Sequence, residues 1–180
     1  YDIVQHSTKG QEATPITATS YLTEDDYVMP YHRGWGWAIG KGMRPDKMMA
    51  ELLGKTTGYN KGRAGAQLGD YELKVMGRPG VQAAHIPIGT GIAFTCKLNK
   101  SNRIVLCMNG NGASNAGNFF EALNMAGTFK LPIVYIVENN LYEIQEPIQD
   151  TTAVEDIALK GIGAGMPSYI VDGNDVIMLC

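Results

Sequence analysis

The chain has 180 residues, 44% of them hydrophobic and 18% charged, with a formal net charge of −3. That length holds one domain with a real core and is short for two ordinary ones. A mild negative charge without any basic run argues against a nucleic-acid or anionic-membrane partner, and no apolar run reaches the roughly 18 residues of a membrane span.

No basic segment followed by an apolar one marks a secretory signal. The chain opens on Tyr1 without an initiator Met and stops at Cys180 in apolar sequence, so both ends read as cut. Cys96, Cys107 and Cys180 are far apart and form no C-x-x-C pair. Free, mostly buried cysteine is the plain reading, and it points to a reducing cytoplasm.

In chain order, a short helix is expected over Gln11–Tyr21. A clearer one runs Pro45–Leu53, with Pro45 as its first residue and Gly54 as its stop. Met48, Met49, Leu52 and Leu53 give it an apolar stripe, which at helical spacing reads as core. Thr56–Gly80 is glycine-rich and longer than an ordinary loop. Gln82–Leu98 reads as a helix whose small residues (Ala83, Ala84, Gly89, Gly91, Ala93) allow close approach to a backbone, either inside the fold or on another subunit.

Ile104–Met108 is a short apolar run of the kind that forms a buried parallel strand. The glycine-rich turn Asn109-Gly110-Asn111-Gly112 follows. Next comes a helix, Ala116–Phe129, with Asn115 as its N-cap and Phe119, Leu123 and Ala126 on one face. Pro132 leads into a second strand, Ile133–Val137, and then Glu138-Asn139-Asn140. This β-α-β pattern implies an α/β fold, a mainly parallel sheet flanked by helices. Ser168–Val171 is a candidate for a further strand. Ligands of such sheets bind beyond the carboxyl ends of the strands, and both polar clusters, around Asn111 and at Asn140, fall there.

A glycine-rich turn opening a helix can hold phosphate oxygens with its N–H groups, or Gly110 and Gly112 can simply permit a tight bend. Asn139-Asn140 is harder to dismiss, because buried amides need partners. Oxygen donors from neighbouring loops, together with a phosphate, suit Mg²⁺.

Here the sequence resembles a known family. Gly110-Asn111-Gly112, followed about 29 residues later by Asn140, is similar to the Gly-Asp-Gly…Asn motif of thiamine diphosphate enzymes. Gly10-Gln11-Glu12-Ala13, Tyr31-His32-Arg33-Gly34, Glu121-Ala122-Leu123-Asn124, Lys130-Leu131-Pro132, Glu138-Asn139-Asn140, the run Thr152–Ala158 and Val171-Asp172-Gly173-Asn174-Asp175-Val176 narrow it further. Together they resemble alpha subunits of heterotetrameric 2-oxo acid and acetoin dehydrogenases, in one register along nearly the whole chain.

The resemblance implies a three-layer thiamine diphosphate-binding fold over residues 1–180. Asn111 and Asn140 would ligate Mg²⁺ with their side chains, and Tyr142 with its backbone carbonyl. Gly110, Gly112 and Ala113 would meet the diphosphate. Arg33 would neutralise its charge, where without the register a surface ion pair is an equal reading, and His32 stands where the family usually has tyrosine. Gly80 and Gln82 would contact the aminopyrimidine ring through their backbone. The chemistry implied is that of an oxidoreductase acting on an oxo group. It cleaves or decarboxylates a small 2-oxo acid or acetoin and passes the acyl group to a lipoyl acceptor on a separate acyltransferase. The glutamate that activates the cofactor would come from a beta subunit, in an α2β2 assembly.

Departures fall at the site itself. Asn111 replaces an aspartate and lacks its charge, which predicts weaker metal and cofactor binding. Trp35 stands where the family has histidine, and Ala64-Gly65-Ala66-Gln67-Leu68 lacks a Ser-Met-His triplet. His85 falls on a helix and reads as a satisfied helix residue rather than a catalyst. Asn111-Gly112 is also prone to deamidation, which would regenerate an aspartate. An alternative reading is a non-catalytic homologue that keeps the fold and the subunit contacts. An unrelated nucleotide-binding domain is disfavoured, because G-x-G-x-x-G and Walker patterns are missing.

Overall fold

Parallel pairing needs a crossover that returns the chain to the same edge, and the segment 105–138 supplies it. The computed structural model describes residues 6–180. The helices are α1 (Ala13–Ser20), α2 (Trp35–Gly40), α3 (Pro45–Leu52), α4 (His85–Leu98), α5 (Gly117–Phe129), α6 (Ile148–Thr151), α7 (Ala158–Gly163) and α8 (Val176–Leu179). The strands are β1 (Tyr27–Met29), β2 (Val105–Gly110), β3 (Ile133–Glu138), β4 (Tyr142–Glu143) and β5 (Glu146–Pro147). Single 3₁₀ turns lie at Gly65–Gln67 and Gly112–Asn115. The chain divides into two compact units: residues up to Gly80 together with Val171–Cys180, and Val81–Ile170.

In the second unit β2 and β3 pair in parallel, from Val105 opposite Ile133 to Gly110 opposite Glu138. The register makes both strands end level, so the chain leaves β2 at Asn111 and β3 at Asn139 on one edge. Val105, Leu106, Cys107 and Met108 are buried, each apolar side chain contributing on the order of 1.5–3 kcal/mol. On α5, Phe119, Ala122, Leu123 and Ala126 form the buried face, as the spacing of Phe119, Leu123 and Ala126 predicts. Tyr135 of β3 ties the helices down. Its hydroxyl shares a 2.6 Å hydrogen bond with Thr90 of α4 and donates to the Ala122 carbonyl of α5 at 3.3 Å.

In the first unit, Val28 of β1 bridges Val75 in parallel. Thr14 of α1 donates to the Gly173 carbonyl at 2.9 Å, which holds the C-terminal segment against this unit. α3 starts at Pro45 as expected. Its buried residues, however, are Met48 and Glu51, while Met49 and Leu53 are exposed. The predicted apolar stripe is therefore wrong by half. The Glu51 carboxylate has turned inward to accept N–H bonds from Asn60, Gly62 and Ala64 at 2.7–2.9 Å. That tertiary demand overrides the helical pattern.

Other expectations need correction. The helix expected from Gln82 begins at His85, because Ala83 takes a left-handed φ of 66° that no helix accommodates. β2 starts at Val105 rather than Ile104 and runs through Asn109-Gly110, so the turn itself is Asn111–Asn115. β3 reaches Glu138, one residue beyond the expected end. Asn115 does not cap α5, whose N-cap is Ala116 without a side-chain bond. The Asn115 amide instead donates to the Thr151 carbonyl and Thr152 Oγ1, at 2.9 and 3.0 Å. Ser168–Val171 forms no strand, and Tyr169 is 84% exposed. The first helix is shorter than Gln11–Tyr21, and β1, only three residues long, leaves no periodicity to read.

Candidate functional site

The site is built where β2 leaves the core. Asn111 N–H donates to the Glu138 carbonyl at 3.2 Å, adding one rung to the parallel ladder. The backbone then turns, with Asn111 at φ −54°, ψ −43°. Ser114 locks the turn by donating its N–H (3.0 Å) and its hydroxyl (2.6 Å) to the Asn111 carbonyl. Lys160 secures the far side, donating to Ser114 O at 2.9 Å and to Asn115 Oδ1 at 2.7 Å. Burial lowers the Lys160 pKa from its ordinary value.

Asn111 is 2% exposed, and its side-chain amide donates to the Tyr142 carbonyl at 3.2 Å. Asn140 Oδ1 accepts the Tyr142 N–H at 3.2 Å, and Asn139 Oδ1 accepts the Leu141 N–H at 3.0 Å. These two short-range turns are what Asn side chains do well. They feed a two-residue ladder, Tyr142–Glu143 against Glu146–Pro147, flanked by left-handed Leu141 (φ 68°) and Ile144 (φ 57°). Bulky residues pay on the order of 1–3 kcal/mol each in that region, and such strain gathers at functional sites. The second unit thus brings together Gly110, Asn111, Gly112, Ala113, Asn140 and Tyr142.

One neighbour has no warning in the sequence. Glu143 lies against Gly112: a β-carbon on Gly112 would stand 2.5 Å from the Glu143 carboxyl carbon. Nothing in the spacing of residue 143 distinguishes it from a solvated loop carboxylate. Only the fold places it on the turn.

In the first unit His32 and Arg33 sit side by side. Arg33 Nη1 donates to His32 Nε2 at 3.0 Å, and Arg33 Nε donates to the Ser7 carbonyl at 3.3 Å. The His32 ring also meets the His6 and Tyr31 rings edge-on. Trp35, expected to stand in place of a histidine, carries no proton-transfer group. Its ring instead stacks under the Arg78 guanidinium at 4.1 Å. Arg78 is 7% exposed and donates to the His32 carbonyl at 2.7 Å. Burial brings its pKa down to about 10, so it stays charged at neutral pH. Gly80 has open space around its Cα, and Gln82 is exposed.

His85 is fully buried, with Nε2 2.7 Å from the Met108 carbonyl, to which it must donate. Burial lowers its pKa although the bond to Met108 opposes this. It joins α4 to β2 and lies on a helix as expected, but it is only half satisfied, because its buried Nδ1 has no hydrogen-bond partner among the described residues.

Among the described residues no three His, Cys, Asp or Glu side chains cluster to hold a metal. The donors gathered at the strand ends are amide and carbonyl oxygens. Such hard oxygen donors fit Mg²⁺ or a similar cation, which also keeps water and substrate phosphates as ligands. A carboxamide can turn either its nitrogen or its oxygen to one point, so Asn111 can face a cation beside the Tyr142 carbonyl.

Residues 3–180 match the family of the dehydrogenase E1 component, and the chain belongs to that family. It is 35% identical over 173 residues to the alpha subunit of acetoin:2,6-dichlorophenolindophenol oxidoreductase of Bacillus subtilis (96% of this chain, 52% of that protein). It is 38% identical over 172 residues to the mitochondrial pyruvate dehydrogenase E1 component subunit alpha of Dictyostelium discoideum (95% and 45%). With the corresponding subunit of Rhizobium meliloti it shares 36% over 168 residues (93% and 48%). The chain spans about half the length of these relatives.

Proposed function

We propose that residues 1–180 form the thiamine diphosphate-binding domain in the alpha subunit of a 2-oxo acid dehydrogenase, pyruvate dehydrogenase-like, or of an acetoin dehydrogenase. When bound, the cofactor supplies the electron sink for cleaving or decarboxylating a small carbonyl substrate. The chain's own task is to hold it. Asn111, Asn140 and the Tyr142 carbonyl would take Mg²⁺. The N–H groups of the turn at Gly110, Gly112 and Ala113 would face the diphosphate. Arg33, whose fork of donors suits phosphate, would offset its charge, with His32 beside it among the cofactor contacts. The backbone at Gly80 and Gln82 would border the aminopyrimidine ring.

The observation that supports this reading most is the meeting of Asn111 and the Tyr142 carbonyl at 3.2 Å, with Asn140 bonded to the same residue. Three residues chosen as cation ligands from the family register converge at one strand end. The partners implied are a beta subunit in an α2β2 assembly and a lipoyl acyltransferase as acyl acceptor, with a small 2-oxo acid or acetoin as substrate. The three cysteines are free thiols, which supports a reducing, cytoplasmic setting. The relatives are named as dehydrogenase and oxidoreductase subunits, so catalysis is preferred to a purely structural role. Titrating Mg²⁺ and thiamine diphosphate against the full-length chain assembled with its beta subunit tests the proposal. Saturable binding is expected, and its absence would sink the enzyme reading.

A further inference from the structure

Two guanidinium groups of the first unit converge on His32. Arg78 Nη1 donates to its carbonyl at 2.7 Å, and Arg33 Nη1 donates to its ring Nε2 at 3.0 Å. Among the described residues neither arginine forms an ion pair. Arg78 is the buried member of the two, at 7% exposure. The Trp35 ring covers the flat face of its guanidinium at 4.1 Å, which leaves the in-plane N–H groups for hydrogen bonds. One edge is spent on His32. The other, Nη2, is buried and has no hydrogen-bond partner among the described residues. A buried cation needs a counter-charge or a full set of acceptors. Arg78 has neither: burial brings its pKa down to about 10, and no neighbouring charge raises it. His32, Arg33 and Trp35 are each half-buried, and Gly77 and Gly80 on either side of Arg78 in the chain are exposed, so the cation lies just beneath the surface.

We infer that Arg78 is an anion-binding residue: its unspent Nη2 edge takes an oxygen of a phosphate or carboxylate ligand, which balances the charge that two arginines on His32 leave uncompensated. The identity of that ligand rests on the cofactor reading above, where the oxyanion belongs to the diphosphate or to the carboxylate of a 2-oxo acid. Arg78 stands outside the cofactor contacts named there. A carboxylate on Arg78 would also set 2-oxo acids apart from acetoin, which carries no charge.

Calorimetry on the full-length chain assembled with its beta subunit tests this with inorganic diphosphate and pyruvate as anionic probes and acetoin as the uncharged control. Arg78→Gln is expected to bind one of the two anions about tenfold or more weakly than wild type, with acetoin unchanged. Arg78→Lys, which keeps the charge and loses the fork, should recover part of that loss. Weakening confined to diphosphate assigns the site to the cofactor, and weakening confined to pyruvate assigns it to the substrate. Unchanged binding of both anions, or equal weakening of acetoin, makes Arg78 a purely structural tie and overturns the inference. If the variants do not assemble, wild-type crystals soaked in each anion decide it: an anion oxygen within about 3 Å of Nη2 sustains the inference, and an Nη2 still without an anion overturns it. Thiamine diphosphate with Mg²⁺ is titrated in parallel. No cofactor binding by any form, with the simple anions still responding to Arg78, rejects the cofactor reading alone.

Discussion

Two glycine-rich segments of this chain solve the same problem in opposite ways. In the loop 58–64 of the first unit, the Glu51 carboxylate is fully buried and collects the N–H groups of Asn60, Gly62 and Ala64. In the turn 110–113 of the second unit, the buried side chain is an amide, Asn111, and the Glu143 carboxylate reaches in from another loop. The first loop is closed on itself by a charge delivered from its own helix. The second has an uncharged amide at its centre, with the Glu143 side chain beside Gly112. A glycine-rich stretch is therefore not in itself a binding site. What matters is whether the fold has already spent the N–H groups.

The largest expected effect comes from removing the charge that closes the first loop. Glu51→Ala leaves three N–H groups without their acceptor and should cost about 3 kcal/mol or more, read by denaturant melts. A loss below about 1 kcal/mol would break the contrast between the two segments. Gly58→Ala comes next, because a β-carbon there meets the Glu51 backbone at 2.5 Å and backbone cannot yield. At Gly112 the obstacle is the mobile end of Glu143, so Gly112→Ala should cost less, about 1 kcal/mol. Thermal denaturation of the pair checks the order.

Asn111→Asp sharpens the comparison from the other side. It restores one charge at the turn and should raise Mg²⁺ affinity by about tenfold. In the absence of cation it should lower stability, because a buried unpaired carboxylate is costly. Calorimetry and melting with and without Mg²⁺ separate the two effects. Spontaneous conversion is a smaller matter: Asn111 is 2% exposed and its amide is hydrogen-bonded, so intact-mass analysis of aged folded protein should show no deamidation there.

Acid should undo the two units through different groups. Burial alone would push the Glu51 pKa up, but the N–H groups of Gly62, Ala64, Asn60 and Gly65 outweigh it and hold the carboxyl below its ordinary value. Its contribution is complete above the unfolded value of about 4.3 and is lost as pH falls through the lower folded value. His85 has a folded pKa depressed by burial. Unfolded histidine takes a proton near pH 6.5 while the buried ring resists, so stability starts to fall there and keeps falling toward the folded pKa. Melting temperature against pH should show both declines, and His85→Gln should remove only the earlier one.

The β-α-β unit was legible because its signals are local. The apolar run into β2, the face of Phe119, Leu123 and Ala126, and Pro132 before β3 each follow from burial at a fixed period. The left-handed Ala83 and the inward turn of Glu51 were not legible, since local pattern favours helix at the first and a solvated carboxylate at the second. Asn115 reads as an N-cap by residue type, yet it bonds to the segment 151–152, a choice made 36 residues downstream. Of the site, the ligand set proposed at Asn111, Asn140 and Tyr142 came from the family register. Level strand ends, fixed by pairing Gly110 with Glu138, then explain why residues so far apart in sequence meet.

Residue types and spacing determined the family, the parallel pair and the absence of charge at position 111, because those are properties of covalent order. Tertiary structure alone decided which carboxylates matter. Glu51 and Glu143 look alike in the sequence, but one is buried to complete a loop and the other is laid over Gly112. That difference arises from through-space contacts between segments, which no local pattern encodes.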